Sequence, residues 1–185
     1  MRKFALLGAA AALFAIPAAA NAQAFVQAET GLDSVSVAGE SDEGVSYGIS
    51  AGYDMPLSGG MFVGIQGTIA DSTTKDCVSD VFTVGDRTCV KTGRDLAAVV
   101  RLGTSVGEKS KLYVLGGYTN ARLVATYNDG VDTFKDGANG DGFRLGAGYQ
   151  YDLSDSLFVK AEYRYSNYES DFSRHNALIA LGAKF

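Results

Sequence analysis

Apolar side chains recur at every second position along most of this chain. Val26, Ala28, Thr30 and Leu32 alternate with Gln27, Glu29 and Asp33. Val45, Tyr47, Ile49, Ala51 and Tyr53 alternate with Ser46, Gly48, Ser50, Gly52 and Asp54. Met61, Val63, Ile65 and Ile69 stand against Gln66 and Thr68, and Leu96, Ala98, Val100 and Leu102 against Asp95, Ala97, Arg101 and Gly103. Between Leu112 and Tyr127 the two faces are harder to separate. The alternation returns with Phe143, Leu145, Ala147, Tyr149 and Tyr151, with Leu157, Val159, Ala161, Tyr163 and Tyr165, and with Ala177, Ile179, Leu181, Ala183 and Phe185. Period two is the signature of a strand with one apolar face. The pattern predicts eight strands, most near the roughly 9–11 residues that a tilted strand needs to cross a bilayer.

The connections alternate in length. Short turns are expected at Met55–Gly60, Gly107–Ser110 and Asp152–Asp155, and longer loops at Asp33–Gly44, Asp71–Thr92, Asn128–Asp141 and Asn167–Ser173. Short turns at one end and long loops at the other fit an all-β, eight-stranded antiparallel up-and-down transmembrane barrel. A soluble eight-stranded barrel alternates in the same way with the faces exchanged. The polar face separates the two. It is mostly Gly, Ser, Ala, Thr and Gln, which suit the crowded interior of a narrow barrel, whereas a surface facing water carries many Lys and Glu. Tyr47, Tyr53, Phe143, Tyr151 and Tyr165 stand near strand ends, where aromatic girdles meet lipid headgroups.

The first residues read as an address. Arg2 and Lys3 precede an apolar run from Phe4 to Ile16; Pro17 breaks it, and Ala20-Asn21-Ala22 offers a cleavage site before Gln23. Residues 1–22 are therefore expected to be a cleaved signal peptide, and 23–185 a single barrel domain. The signal carries two basic residues and no acidic ones, so its loss makes the net charge of −5 more negative. That balance argues against nucleic acid as a partner, because neutralising phosphates needs a basic surface. With 23 Gly, 10 Tyr and only 2 Pro, the composition points to strands joined by many turns.

Three stretches carry a family likeness. "FRLGAGYQYDLSDSLFVKAEYRYSNY" with "RHNALIALGAKF" resembles the closing hairpin and last strand of small outer-membrane barrels of the opacity-antigen and OmpA-like superfamily. "DLAAVVRLGTSVGEKSKLYVLGGY" resembles their central hairpin. The resemblance implies the cell outer membrane as location, with outer-membrane lipid and lipopolysaccharide as surroundings. It implies periplasmic chaperones and the barrel-insertion machinery as partners during biogenesis. Ile179, Leu181 and Phe185 resemble the C-terminal signal that this machinery reads. Peptidoglycan tethering in the manner of full-length OmpA is not expected, since no such domain follows Phe185. The fold serves adhesion, structural, transport and enzymatic roles, so it implies little about activity.

Candidate chemistry gathers on the polar face. Glu29, Asp95, Arg101, Arg144, Lys160, Glu162 and Arg164 are expected to form a charge network in the lumen, with Glu29 and Glu162 bonded to some of Arg101, Arg144 and Arg164. Buried charges need such partners. Eight strands leave an interior just filled by side chains, which favours a plug over an ion path. Cys77 and Cys89, in the longest loop of an exported chain, are expected to form a disulfide. A ring of that size is worth about 3 kcal/mol in the chain-entropy picture. His175, with Ser173 and Asn176 nearby, raises a lipid-modifying enzyme as a remote alternative, but a nucleophile, a base and an orienting group need a geometry that sequence does not supply. "DGANGDG" at Asp136–Gly142 hints at calcium but lacks the regular ligand spacing. The expectation is a barrel without catalytic residues, metal or cofactor, in a structural or surface-interaction role. A small porin-like channel is the alternative, and any surface or host ligand is left unnamed.

Overall fold

Nine strands make up nearly all of the structure, a computed structural model that describes residues 23–37, 40–79, 86–128, 132–169 and 172–185. The expected signal peptide lies outside them. The strands are β1 (Gln23–Val37), β2 (Glu40–Pro56), β3 (Met61–Ser72), β4 (Lys75–Ser79), β5 (Arg87–Val106), β6 (Ser110–Asn128), β7 (Thr133–Asp152), β8 (Leu157–Tyr168) and β9 (Phe172–Lys184). Every pairing is antiparallel. β1 pairs with β9, and β3 pairs with β5, so eight strands close into a barrel and leave β4 as an appendage on the far part of β5. Closure leaves no open strand edge in the wall, which a strand in lipid requires.

One end is built tightly. A short 3-10 turn at Ser58–Gly60 joins β2 to β3, with Gly59 and Gly60 at φ +75° and +77°. Gly107 at φ +71° turns β5 into β6. Both chain ends of the barrel lie here, where Ala24 and Phe185 exchange two backbone hydrogen bonds of 3.2 and 3.0 Å.

At the other end the expected long loops are mostly strand. β1 and β2 pair out to Val37 and Glu40, β6 and β7 to Asn128 and Thr133, and β8 and β9 to Tyr168 and Phe172. Beyond the lipid the outward face no longer has to be apolar. The alternation fades there, yet the hydrogen-bond ladder continues into polar sequence.

The burial phase is that of a membrane protein. Ile49, Leu181 and Ile179 point outward with 63%, 57% and 65% exposure, whereas Arg101 and Arg144 point inward with 0% and 2%. Apolar outside and charged inside excludes the soluble barrel, whose faces run the opposite way. The lumen side of β6 is itself apolar at Tyr113 and Leu115, which pack with Phe62, Ala97 and Val99. With both faces apolar, period two is hidden in that strand.

Four lumen aromatics form a floor at the tight end, each opposite a glycine of the neighbouring strand. Phe25 faces Gly52, Phe62 faces Gly103, Tyr113 faces Gly148 and Phe158 faces Gly182. A Cβ on any of these glycines would overlap atoms of the facing ring or, at Gly148, the Tyr113 hydroxyl. The rings lie flat on bare backbone, and this lets four large side chains fit one narrow cross-section.

Candidate functional site

The lumen holds charge in three tiers. In the lowest, Arg101 of β5 meets Asp54 of β2 at 3.1 Å. Its guanidinium lies 4.2 Å from the Tyr113 ring centre and 4.9 Å from that of Phe25. The Lys160 ammonium lies 4.8, 5.3 and 5.4 Å from the rings of Phe25, Phe158 and Tyr113. The aromatic floor thus offers ring faces to two buried cations.

In the middle tier Arg164 forks onto Glu29, with Nη1 at 2.6 Å and Nη2 at 2.9 Å, and its Nε donates to Glu162. Gln27 and Ser50 each donate to Glu29 at 2.8 Å, and the Tyr113 hydroxyl donates to Glu162. In the upper tier Arg174 bridges Asp33 at 2.6 Å and Asp95 at 3.2 Å, and Arg144 meets Asp95 at 2.5 Å. Asn176, Ser72 and Thr74 complete Asp33, and Thr119 donates to Asp95 at 2.9 Å. An apolar lid of Val35, Ala121, Tyr168 and Phe172, with Leu123 against it, covers this tier. Tyr168 and Phe172 stack with ring centres 4.6 Å apart.

The three tiers hold five buried carboxylates (Glu29, Asp33, Asp54, Asp95, Glu162) and five buried cations (Arg101, Arg144, Lys160, Arg164, Arg174); a further buried carboxylate, Asp86, lies outside them just before β5. Within the tiers the formal charges cancel, as burial in a low-dielectric interior demands. Between the middle and upper tiers lies a void of about 10 Å³ lined by Glu29, Asp95, Arg164 and Arg174, among others. That is the scale of a single water. The arrangement locks strands together across the barrel and leaves little room for passage.

All seven lumen charges named from the sequence are buried, and the two glutamates pair within the expected set of arginines. Glu29 and Glu162 both bind Arg164, whereas Arg101 takes Asp54 and Arg144 takes Asp95. Lys160 Nζ has no hydrogen-bond partner among the described residues and rests among rings. The sequence reading omits Asp33, Asp54, Arg174 and Asn176 as network members. Their signal is present, since each keeps the polar phase of its strand, but Arg174 sits at the margin of an expected loop.

Cys77 and Cys89 are directly opposed in the β4–β5 ladder and form a disulfide. His175 is on the outer face of β9, where its Nδ1 is 2.6 Å from the Tyr163 hydroxyl and its ring 4.9 Å from Tyr165. Asn176 points into the lumen to Asp33, away from His175. The stretch that hints at calcium lies within β7, whose alternation sends Asp136 and Asp141 to opposite faces. Asp141, on the outer rim, accepts from the Tyr118 hydroxyl and from Asn120 at 2.7 Å, and these bonds hold its carboxyl below the usual carboxylate range. Ile179, Leu181 and Phe185 form an exposed outward row at the end of β9.

Solved structures similar to this chain in fold include outer-membrane proteins. The attachment invasion locus protein Ail of Yersinia pestis superposes with a TM-score of 0.63 at 14% identity, covering 89% of this chain and 99% of that one. Neisserial surface protein A gives 0.59 at 16% identity, covering 88% and 97%. A major outer membrane protein of Thermus thermophilus gives 0.53 at 14%, covering 89% and 99%. At such identities the likeness is one of fold. No curated protein matches the chain in sequence. The model of the outer membrane protein beta-barrel domain matches residues 5–185, which agrees with the inverted burial and the closed ladder: the chain belongs to that family and is a protein of the outer membrane.

Proposed function

We propose that this barrel is a structural and surface-interaction element, adhesin-like or antigen-like, rather than a conduit. The observation that carries this reading is the lumen, filled from aromatic floor to apolar lid by side chains whose charges cancel. What the molecule offers to its surroundings is then its rim. In this reading residues 1–22 direct export, the row ending at Phe185 engages chaperones and the insertion machinery, and the tight end with both termini faces the periplasm. The opposite end, with four extended connections, stands outside the cell. Ail, of similar fold, has been crystallised in complex with the heparin analogue sucrose octasulfate, which supports a role in surface contact.

Planar-bilayer recording with the purified barrel tests the closed lumen. The expected result is no steady conductance, and a large persistent one would restore the channel reading. Binding of whole cells to candidate surfaces, compared between the intact barrel and one with its projecting ends shortened, tests the contact role.

A further inference from the structure

Above the lipid, β4 to β7 continue as a four-stranded sheet whose outer face is basic. Opposed residues in an antiparallel ladder share a face. Lys75 opposes Lys91, Ser79 opposes Arg87, Lys91 opposes Val124 and Lys135 opposes Thr126. Arg122 belongs to the same row of β6 as Val124 and Thr126. Its guanidinium lies across Gly137 of β7, where a Cβ would meet Nη2 at 2.8 Å. Arg94 precedes the inward Asp95 and so points outward. All six bases are exposed, and none takes part in an ion pair among the described residues.

Few described carboxylates share this face: Asp71 of β3 flanks it one step beyond the Ala70–Asp95 pair, and Glu169 flanks it beside Asp141. Asp76 and Asp136 oppose Val90 and Ala125 on the other side of the sheet. Asp141 does share the outer face, but it is already engaged by Tyr118 and Asn120. A chain of net charge −5 thus gathers on one surface six cations with no ion-pair partner among the described residues. The overall acidity, which argues against polyanion binding, does not describe this surface.

We propose that this face binds the phosphate groups of anionic glycolipid in the leaflet around the barrel. The face continues the lipid-facing rows that end in Leu96, Tyr118 and Phe143, so it looks sideways over the leaflet rather than up into solution. Arg94 is two residues beyond Leu96 and Arg122 four beyond Tyr118, about 7 and 13 Å along the strand. That is headgroup height, and the remaining bases stand farther out. A soluble polyanion would have to approach between the sheet and the membrane. The inference rests on the reading that this end faces outward, which protease access on intact cells tests separately.

The experiment uses the full barrel in phosphatidylcholine nanodiscs, with added diphosphoryl lipid A as probe and heparin as the soluble comparison. Heat-modifiable migration on gels establishes that each variant is folded. The double variant Arg94→Glu/Arg122→Glu is expected to weaken lipid A binding about tenfold or more and to flatten its salt dependence. Lys75→Glu/Lys135→Glu, farther from the leaflet than a Debye length, is expected to act in the same direction but more weakly, and Glu43→Lys, on exposed β2, to leave binding undiminished. Unchanged lipid A affinity in the folded Arg94/Arg122 variant overturns the proposal. So does a variant that loses heparin binding while keeping lipid A binding.

Discussion

Arg164 of β8 and Glu29 of β1 are 135 positions apart in the chain and meet as a two-toothed fork across the barrel, at 2.6 and 2.9 Å. β9 lies between their strands, so the bond spans the seam where the last strand closes on the first. Both side chains are buried, and the pair's worth lies in what happens when one partner is lost.

Glu29→Gln leaves Arg164 half neutralised inside the wall. Breaking a buried pair in this way costs about 3 kcal/mol or more. The urea midpoint for loss of the folded, heat-modifiable species should fall accordingly. Replacing Glu29 and Arg164 together by Gln and Met removes one charge of each sign, keeps the lumen balanced, and should recover part of the loss.

Gly148 accommodates the Tyr113 ring. Gly148→Ala places a methyl group where the Tyr113 hydroxyl lies, so the ring must move and its bond to Glu162 is disturbed. Overpacking of this kind costs about 1–3 kcal/mol. Tyr113→Phe, which only removes the donor to a buried carboxylate, should cost a similar amount, roughly 1–3 kcal/mol. Because both changes act on one contact, the double variant should be less destabilised than the sum, and a measured sum would refute the coupling.

The Cys77–Cys89 bond ties β4 to β5, and β4 pairs with no other strand. Cys77→Ser with Cys89→Ser should speed protease cleavage between Lys75 and Thr92 while the barrel unfolds at the same urea concentration. A lowered barrel midpoint would show that the bond supports more than the appendage.

Phe185 takes part in the two terminal backbone bonds with Ala24. Deleting it should slow assembly into the outer membrane in cells severalfold, read as accumulation of unfolded protein after a pulse of synthesis. The same variant, refolded from urea into detergent, should still form the heat-modifiable barrel. If both processes fail equally, the residue acts through stability rather than as a signal.

The strands are legible in the sequence because a wall with lipid on one side and packed polar groups on the other writes period two into the chain. That signal is strong at Val45–Asp54 and at Leu157–Tyr165. It fails in β6, where Tyr113 and Leu115 make the lumen face apolar as well. It fails again above the lipid, where Asp136 to Asp141 have the composition of a loop and are strand. Hydrogen-bonded pairing there needs no apolar side chains, so composition carries no trace of it.

The alternation, the number of barrel strands and the side chains on the polar phase are written in the order of residues alone. These follow from local geometry, since successive side chains of a strand point to opposite faces. The partners come only from the closed barrel. Whether Arg101 meets Glu29 or Asp54, which ring covers which glycine, and whether six scattered bases share one face all depend on the ladder register. Register is set by how distant strands align as the barrel closes, and no single strand carries that information.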